Sequence, residues 1–391
     1  MKKILIYDDN ERWTKDLKES LEALPILQKD FDIIALDDAQ FKEAMDILQQ
    51  RRRGVRESGS WSDDLVTILD KADIFVIDYD LFDTDPFLTG EDVAYSARCF
   101  SKCGLIVGLN QYYEVDFDLT LKGHIDSFAD LNIRGGQLSN PNLWGGDGQE
   151  FHPWYWPLLP QFQQTFEQRV EDVRNNLNNK PICEMLGFNP EPFDFLPRSI
   201  SQFIGAEPAK TTFEEFVRKS GNGMHHSDSD KANDDILARV GAARISKWLE
   251  RLVLPELDIV VDAPHLISRY PSLLGVNKEE IEAWNKTSSR MGYTELEFDT
   301  KIIKTAQVEK GFWFSRPVWF WDKVRAKNEI LEVREPWETF RPDWVFCEDV
   351  SKFYPKDECK EFVAKIESPF ARRFVKEIDG IKYQPRVRFS L

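Results

Sequence analysis

The chain has 391 residues, of which 42% are hydrophobic, and it carries a formal net charge of −17 at pH 7. Its 28 Phe and 12 Trp residues supply apolar material for packed cores, so the composition excludes a disordered chain and favours two or three domains. The net negative charge argues against nucleic-acid binding and against anionic membrane surfaces, because both need clustered Lys and Arg.

Cysteine usage and the absence of long apolar runs indicate the compartment. The cysteines are Cys99, Cys103, Cys183, Cys347 and Cys359, an odd number at sparse spacing. This usage is typical of reduced thiols in a cytosol rather than of a disulfide framework. The sequence starts on a strand-like segment without a signal-peptide pattern, and no apolar run approaches about 18 residues. We therefore expect a soluble, cytoplasmic protein without a membrane segment.

The first 140 residues alternate short apolar runs with amphipathic segments. The apolar runs are the one that ends in Asp8 and Asp9, residues 31–36, the one that leads into Asp78, residues 104–110 and residues 129–133. Apolar residues recur at helical spacing over 11–27 and 39–50, and a third helix is expected at 89–98. Near-continuous apolar strands separated by helices are typical of a sheet covered on both faces. The pattern therefore predicts an α/β fold with a doubly wound, five-stranded parallel sheet of the flavodoxin type.

Acidic side chains stand where two of these strands end. Asp8 and Asp9 follow the first strand, and Asp78 follows the third. Ligands of doubly wound sheets gather at the carboxyl ends of the strands, so the three carboxylates are expected to meet in one pocket. Carboxylates held together repel one another and tend to bind a hard divalent cation. The sequence therefore predicts a Mg²⁺ site at Asp8, Asp9 and Asp78.

This arrangement resembles the CheY-like receiver domain of two-component response regulators. The resemblance rests on the acidic pair Asp8-Asp9, the strand-end Asp78, the glycine-led helical segment 89–98 and the strand 104–110. It covers roughly residues 1–140, about a third of the chain. It implies that Asp78 is the candidate phosphoacceptor.

The chain also departs from the family. In receiver domains a Ser or Thr after the fourth strand and a Lys after the fifth contact the phosphoryl group. Here the fourth strand ends in Leu109 and Asn110, Arg134 is the nearest cation after the fifth strand, and Lys122 lies well before it. Without those groups an aspartyl phosphate loses its charge neutralisation and its switch. The resemblance is therefore interpreted as one to a degenerate receiver, or pseudo-receiver.

The rest of the chain shows no recognisable family. The expected organisation is a receiver-like domain at 1–138, an aromatic and proline-rich linker at 139–160, and an α+β region of unknown type at 161–391, with a candidate further boundary near 255. The three large rings of Trp154, Tyr155 and Trp156, set among prolines, favour docking between the two parts over an exposed partner site. The basic run Arg51-Arg52-Arg53 with Arg56 lies in a polar Gly/Ser segment and is predicted to be a solvated loop.

Three groups of polar residues in the α+β region are weaker site candidates. They are His225, His226, Asp228 and Asp230 as metal ligands or helix-start residues; Asp262, His265 and Arg269 after an apolar strand; and Glu297, Asp299 and Lys301 on one face of a strand. Capping, interface or solvated roles are the expected ones for each group. Nothing resembles a nucleophile elbow, a P-loop or a dinucleotide-binding glycine motif.

Three functions fit these features. The expected one is a regulatory or adaptor protein that acts through a protein partner, such as a histidine-kinase-like ATPase or an effector, in a multi-component bacterial signalling or anti-phage defence system. The first alternative is a phospho-switched response regulator with Asp78 as acceptor. The second is a metal-dependent hydrolase or nuclease in the C-terminal region that uses Asp262 and His265, or Glu297, Asp299 and Lys301.

Overall fold

The computed structural model describes residues 1–110, 115–117, 125–146, 148–189, 193, 196–270, 282, 285, 304–326, 344–362 and 373–383. No helix among them is both long enough and apolar enough to cross a membrane.

A five-stranded parallel sheet forms the N-terminal part. Its strands are β1 (Lys2–Tyr7), β2 (Phe31–Ala35), β3 (Ile74–Asp78), β4 (Leu105–Leu109) and β5 (Leu131–Ile133). Their order is β2-β1-β3-β4-β5, and every neighbouring pair is parallel. All residues of β3 and β4 are buried, as in a sheet covered on both faces. The predicted doubly wound sheet of the flavodoxin type is confirmed.

Three helices connect the first four strands. They are α1 (Glu11–Glu22), α2 (Asp38–Ser58) and α3 (Gly90–Phe100). Reciprocal hydrogen bonds between Asp37 and Gln40 start α2, and the left-handed Gly59 ends it. Helix α1 ends at Glu22, before the predicted end at residue 27. Helix α2 continues to Ser58, well past the predicted end at residue 50.

The basic run lies on the last turns of α2, so the prediction of a solvated loop is wrong. Arg51 is buried, and its guanidinium forms an ion pair with Asp70 (Nη2–Oδ2 2.5 Å). Arg52 and Arg56 bind Asp228, a fully buried carboxylate in the C-terminal region, at 2.8 and 2.6 Å. The sequence separation of these partners explains the error, because local polarity does not reveal a distant counter-ion.

Helices dominate the described chain that follows β5. They are α4 (Gly135–Leu138), α5 (Leu159–Gln164), α6 (Phe166–Asn176), α7 (Ile182–Met185), α8 (Arg198–Ser201), α9 (Phe213–Lys219), α10 (His226–Ser229), α11 (Asp234–Trp248), α12 (Leu254–Glu256), α13 (Ala263–Arg269) and α14 (Trp321–Arg325). A π-helical turn, Leu249–Val253, joins α11 to α12. Short 3₁₀ turns occur at Ile68–Lys71, Pro141–Leu143, Lys304–Ala306, Gly311–Trp313 and Lys356–Glu358.

Two small sheets complete the larger α+β region. Their strands are β6 (Val260–Asp262), β7 (Val318–Phe320), β8 (Trp344–Cys347), β9 (Lys352–Pro355), β10 (Lys360–Phe362) and β11 (Arg373–Val375). Strands β6 and β7 form an antiparallel pair, and the other four form a sheet in the order β10-β11-β8-β9. The predicted α+β character of this region is confirmed.

Helix α11 holds the two parts together through buried cations. It packs against α6 and against α3 of the N-terminal part. Arg244 donates to the carbonyl oxygens of Ile125 and Ser127, at 2.9 and 2.6 Å. Lys247 donates to the carbonyls of Ser127 and Ala129, at 2.8 and 2.6 Å. These cations satisfy the carbonyls of the segment that leads into β5, so α11 fixes how β5 enters the sheet.

The aromatic linker touches both parts. Trp144 is buried at an edge-on angle to Phe31 of β2, with ring centroids 6.0 Å apart. Trp154 is buried against Phe346 of β8, with centroids 5.1 Å apart. This is the packing expected of docking rings; the boundaries at 138, 160 and 255 stay predictions.

The Asp228 cluster allows a test of how the two parts are joined. We expect Asp228→Asn to lower the free energy of unfolding by about 2–3 kcal/mol, because two guanidinium groups and the Tyr95 hydroxyl lose their charged acceptor. The loss is smaller than for a fully buried pair because the Arg52 and Arg56 side chains are 34% and 43% exposed. Urea unfolding measures it. Asp230→Asn, at an exposed neighbouring carboxylate, is the matched control, and equal midpoints for the two variants would contradict the assignment.

Candidate functional site: an acidic pocket at the strand ends

The parallel register of β1 and β3 brings three carboxylates together. Tyr7, the last residue of β1, lies opposite Ile77, so Asp8 and Asp9 emerge beside Asp78. One carboxylate oxygen of each residue lies within 4.8 Å of the other two. Asp8 and Asp78 are buried, and Asp9 is partly exposed. The structure therefore brings the predicted metal-site residues into one acidic trio.

Backbone amides orient the trio. The amide of Asn10 donates to Asp8 Oδ1 at 2.8 Å, and the amide of Asp83 donates to Asp9 Oδ2 at 2.8 Å. The amide of Asp80 donates to Asp78 Oδ2 at 3.2 Å. The second oxygen of Asp78, Oδ1, is buried without a hydrogen-bond partner in the part of the chain that the structure describes. A buried carboxylate oxygen without a partner is costly, and it is a position where a ligand can bind.

Burial and mutual repulsion disfavour the charged forms. Burial and the neighbouring charge of Asp8 raise the pKa of Asp78 to about 7. Burial and the charge of Asp9 raise the pKa of Asp8 to about 6. Burial also raises the pKa of Asp9. Neither Asp9 nor Asp78 forms an ion pair with a described residue. Near neutral pH the trio therefore gains from a bound cation, which removes both the repulsion and the desolvation cost.

The loop between β3 and α3 covers the trio. Its Thr84 hydroxyl lies 2.5 Å from the Tyr7 hydroxyl, and Thr89 caps α3 by accepting from the amide of Asp92. Gly90 begins α3 against the end of β3: a Cβ at this position would lie 2.1 Å from the carbonyl oxygen of Asp78. Only glycine permits this approach, so the sequence element that carried the resemblance has a direct steric role.

The chain lacks a Ser or Thr directly after β4, and the first cation after β5 is engaged elsewhere. Strand β4 ends at Leu109 and is followed by Asn110, which has an amide in place of a hydroxyl. Arg134, the cation that follows β5, forms an ion pair with Asp116 at 3.0 Å. Lys122 lies outside the described residues.

Four exposed aromatic side chains lie on α1 and on the segment between β3 and α3, and the sequence reasoning missed them. Trp13 in the first turn of α1, Tyr79, Phe82 and Phe87 are 54%, 42%, 66% and 92% exposed. They are four of the six large hydrophobic side chains that are exposed among the described residues. We call these four residues the aromatic rim. The signal in the sequence was two Phe within an Asp-rich loop, where solvated polar residues are the rule.

The Asp262 group forms a second cluster of a different kind. His265 Nδ1 pairs with Asp262, and its Nε2 lies 3.1 Å from Glu348 Oε1. Arg316 lies 3.2 Å from Asp262, and Arg373 donates from Nε and Nη2 to the two carboxylate oxygens of Glu348. We call these five residues the buried ion network.

Charge pairing within the buried ion network sets its protonation. Burial alone would lower the pKa of His265, but Asp262 and Glu348 outweigh it and raise the pKa to about 8. Burial alone would raise the pKa of Asp262, but His265 and Arg316 hold it well below its usual range. Arg269 lies apart: it donates to the carbonyl of Leu257 at 3.0 Å. A network of mutually paired charges is typical of a structural element rather than of a catalytic site.

The remaining candidates have other roles or lie elsewhere. Asp228 is used by Arg52, Arg56 and the Tyr95 hydroxyl, while His225 and His226 are exposed. The acidic trio is the sole metal-compatible cluster found in the described residues. The candidates Glu297, Asp299 and Lys301 lie outside those residues.

Comparison with protein-family models, with curated proteins and with solved structures finds no match to this chain. The resemblance to receiver domains therefore rests on the sheet topology and on the residues of the trio.

Because the pKa of Asp78 is raised, we expect Asp78→Asn to increase the free energy of unfolding, by an amount that depends on pH. The pKa of about 7 in the folded state exceeds the value of about 3.9 in an unfolded chain, so the folded wild type binds more protons between these values. Its stability therefore falls as pH rises from about 4 to about 7, whereas the substitution removes this ionisation. Without divalent cations, the gain in stability over wild type is expected to grow over this range to about 4 kcal/mol.

Urea unfolding at several pH values in EDTA measures this gain. Asp83→Asn is the matched control, since it removes a charge from an exposed side chain of the same loop. A gain for Asp78→Asn that is constant across the pH range would contradict the burial of an ionisable carboxyl at this position.

Proposed function

We propose that the chain is a regulatory or adaptor protein. A receiver-like N-terminal part binds a divalent cation such as Mg²⁺ at Asp8, Asp9 and Asp78, and the protein acts by binding a protein partner beside this site. One observation carries the proposal: the unpartnered Asp78 Oδ1 is buried next to two further carboxylates. Carboxylate oxygens converging on one point are the ligands that Mg²⁺ takes in proteins.

The aromatic rim supports the partner-binding part of the proposal. Large apolar side chains exposed together mark interaction sites more often than they occur by chance. Aromatic residues are also the commonest anchors of protein interfaces. The rim residues in the β3–α3 loop belong to the segment whose Asp83 amide holds Asp9, so a cation bound at the trio would fix the loop that presents them. The receiver resemblance suggests a histidine-kinase-like ATPase or an effector as partner, in a bacterial signalling or anti-phage defence system.

A phospho-switched regulator with Asp78 as acceptor is the second candidate. The unpartnered Asp78 Oδ1 favours it, because an acceptor needs a carboxylate oxygen that other groups do not occupy. The pairing of Arg134 with Asp116 counts against it, since no described Lys or Arg neutralises Asp78. The geometry of the buried ion network favours a structural role over hydrolase chemistry at Asp262 and His265.

Thermal unfolding of the full chain tests cation binding. Mg²⁺ at ten times its dissociation constant is expected to stabilise the fold by about 1.4 kcal/mol, which raises the midpoint by about 2 °C. The shift should weaken below about pH 6, since protons compete with Mg²⁺ for Asp8 and Asp78. Asp78→Asn should abolish it, and the control Asp83→Asn should retain it. A shift that persists in Asp78→Asn would refute the site.

Beryllofluoride, a mimic of an aspartyl phosphate, separates the two candidate functions. The adaptor predicts no increase beyond that of Mg²⁺ alone. The phospho-switch predicts a further rise of the midpoint that Asp78→Asn removes.

Substitution of the rim tests partner binding. The double variant Phe82→Ser/Phe87→Ser is expected to lower the amount of co-purified partner roughly tenfold, since two interface anchors are lost. The full chain would be expressed at its native level and its partners quantified by mass spectrometry. Val66→Ser is the matched control, because Val66 is 58% exposed and lies before β3, away from the trio. Equal recovery with the rim variant and the control would exclude the rim as the binding surface.

A further inference from the structure

Two cysteines meet in the four-stranded sheet. Cys347 is the last residue of β8, and Cys359 lies between the turn Lys356–Glu358 and β10. Their sulfur atoms are 3.2 Å apart, with the Cys347 thiol directed at Cys359. The two cysteines are twelve positions apart in sequence, and no motif in the sequence predicted that they would pair.

The surroundings make Cys359 the reactive member. Cys347 is buried, whereas Cys359 is partly exposed and open to small oxidants. The hydrogen bond from Cys347 and the nearby ammonium of Lys376 lower the pKa of the Cys359 thiol. The same contact and burial raise the pKa of Cys347. The pair is thus divided into a thiolate-prone nucleophile and a protonated partner, as in reactive dithiols.

The other cysteines lack these features. Cys99, Cys103 and Cys183 are all buried. Burial raises the pKa of Cys99 well above its ordinary value and that of Cys103 to about 12. Buried thiols of this kind are inert to oxidants. Oxidation should therefore be selective for the Cys347–Cys359 pair.

We propose that Cys347 and Cys359 are a reversible redox site that a peroxide closes to an intramolecular disulfide. The Cys359 thiolate attacks one peroxide oxygen and becomes a sulfenic acid, and the other oxygen leaves as water after taking up a proton. The Cys347 thiol, losing its proton, then attacks the sulfenic sulfur and displaces a second water. In sum, two thiols and one H₂O₂ give one disulfide and two H₂O. A dithiol reductant reverses the reaction by thiol–disulfide exchange.

The disulfide would act on the centre of the C-terminal region. It would close a loop that contains β9 and the turn Lys356–Glu358. Glu348, which follows Cys347 directly, holds His265 and Arg373 in the buried ion network. Closing the loop restrains the backbone from which Glu348 projects. The oxidised pair should therefore raise the free energy of unfolding of this sheet above that of the reduced pair.

Peptide mapping of the full chain tests the proposal. The reduced, folded protein is treated with stoichiometric H₂O₂, blocked with N-ethylmaleimide in denaturant and digested with trypsin without reduction. Trypsin cleaves after Lys352 and Lys356, so a disulfide joins two separate peptides. We expect one cross-linked pair that contains Cys347 and Cys359 and is two hydrogens lighter than the free peptides, with Cys99, Cys103 and Cys183 alkylated. Dithiothreitol should return the two thiols, and the oxidised chain should unfold several degrees higher than the reduced one.

Two variants keep the result interpretable. Cys359→Ser, at the more exposed position, should fold and yield no cross-linked peptide, while Cys183→Ser should still yield it. The proposal is overturned if Cys359 advances to a sulfinic acid while Cys347 stays a thiol. It is equally overturned if peroxide leaves both as thiols, or if the disulfide resists dithiothreitol in the folded protein.

Discussion

The parallel pairing of β1 with β3 is the constraint on which the candidate site depends. Because Tyr7 lies opposite Ile77, the backbone pairing places Asp8 and Asp9 next to Asp78. Burial, together with the charges of neighbouring carboxylates, raises all three carboxyl pKa values. Such a group of charges is destabilising by itself, and the proposed Mg²⁺ would relieve the repulsion.

Four buried cations of the described chain are committed to other partners. Arg51, Arg98, Arg244 and Lys247 are all buried, and each is bonded to a carboxylate or to backbone carbonyls. These cations join helices and loops to the N-terminal sheet, so they stabilise the architecture and are not available to neutralise the trio. With a net charge of −17, the chain leaves Asp9 and Asp78 without an internal counter-ion among the described residues. An external cation fits this distribution of charge.

The features that depend on neighbouring residues in the sequence were the ones that the sequence predicted correctly. The apolar runs of β1, β3 and β4 are buried on both faces, so their composition alone identified them, and the acids at their ends followed from the sheet type. The partnership of Arg52 with Asp228 spans 176 residues and could not be read from either segment, which is why charged residues of α2 were assigned to a loop. Asp262 and His265 are three apart and were found, but Glu348 comes 83 residues after His265 and was missed. Long-range pairing of charges is the information that a single sequence hides.

A comparison of Asp78 with Asp262 explains why the acidic trio is a candidate ligand site and the buried ion network is not. Both are aspartates at the end of a strand, and both are almost fully buried, at 6% and 2% exposure. Burial raises the pKa of each, yet Asp262 receives Arg316, His265 and the Trp154 indole, and its pKa falls. Asp78 receives backbone amides on one oxygen alone, and its pKa rises to about 7. The difference lies in the partners rather than in the burial: both oxygens of Asp262 are bonded to side chains of the protein, whereas Asp78 has an oxygen without a partner whose bonding capacity a cation can complete.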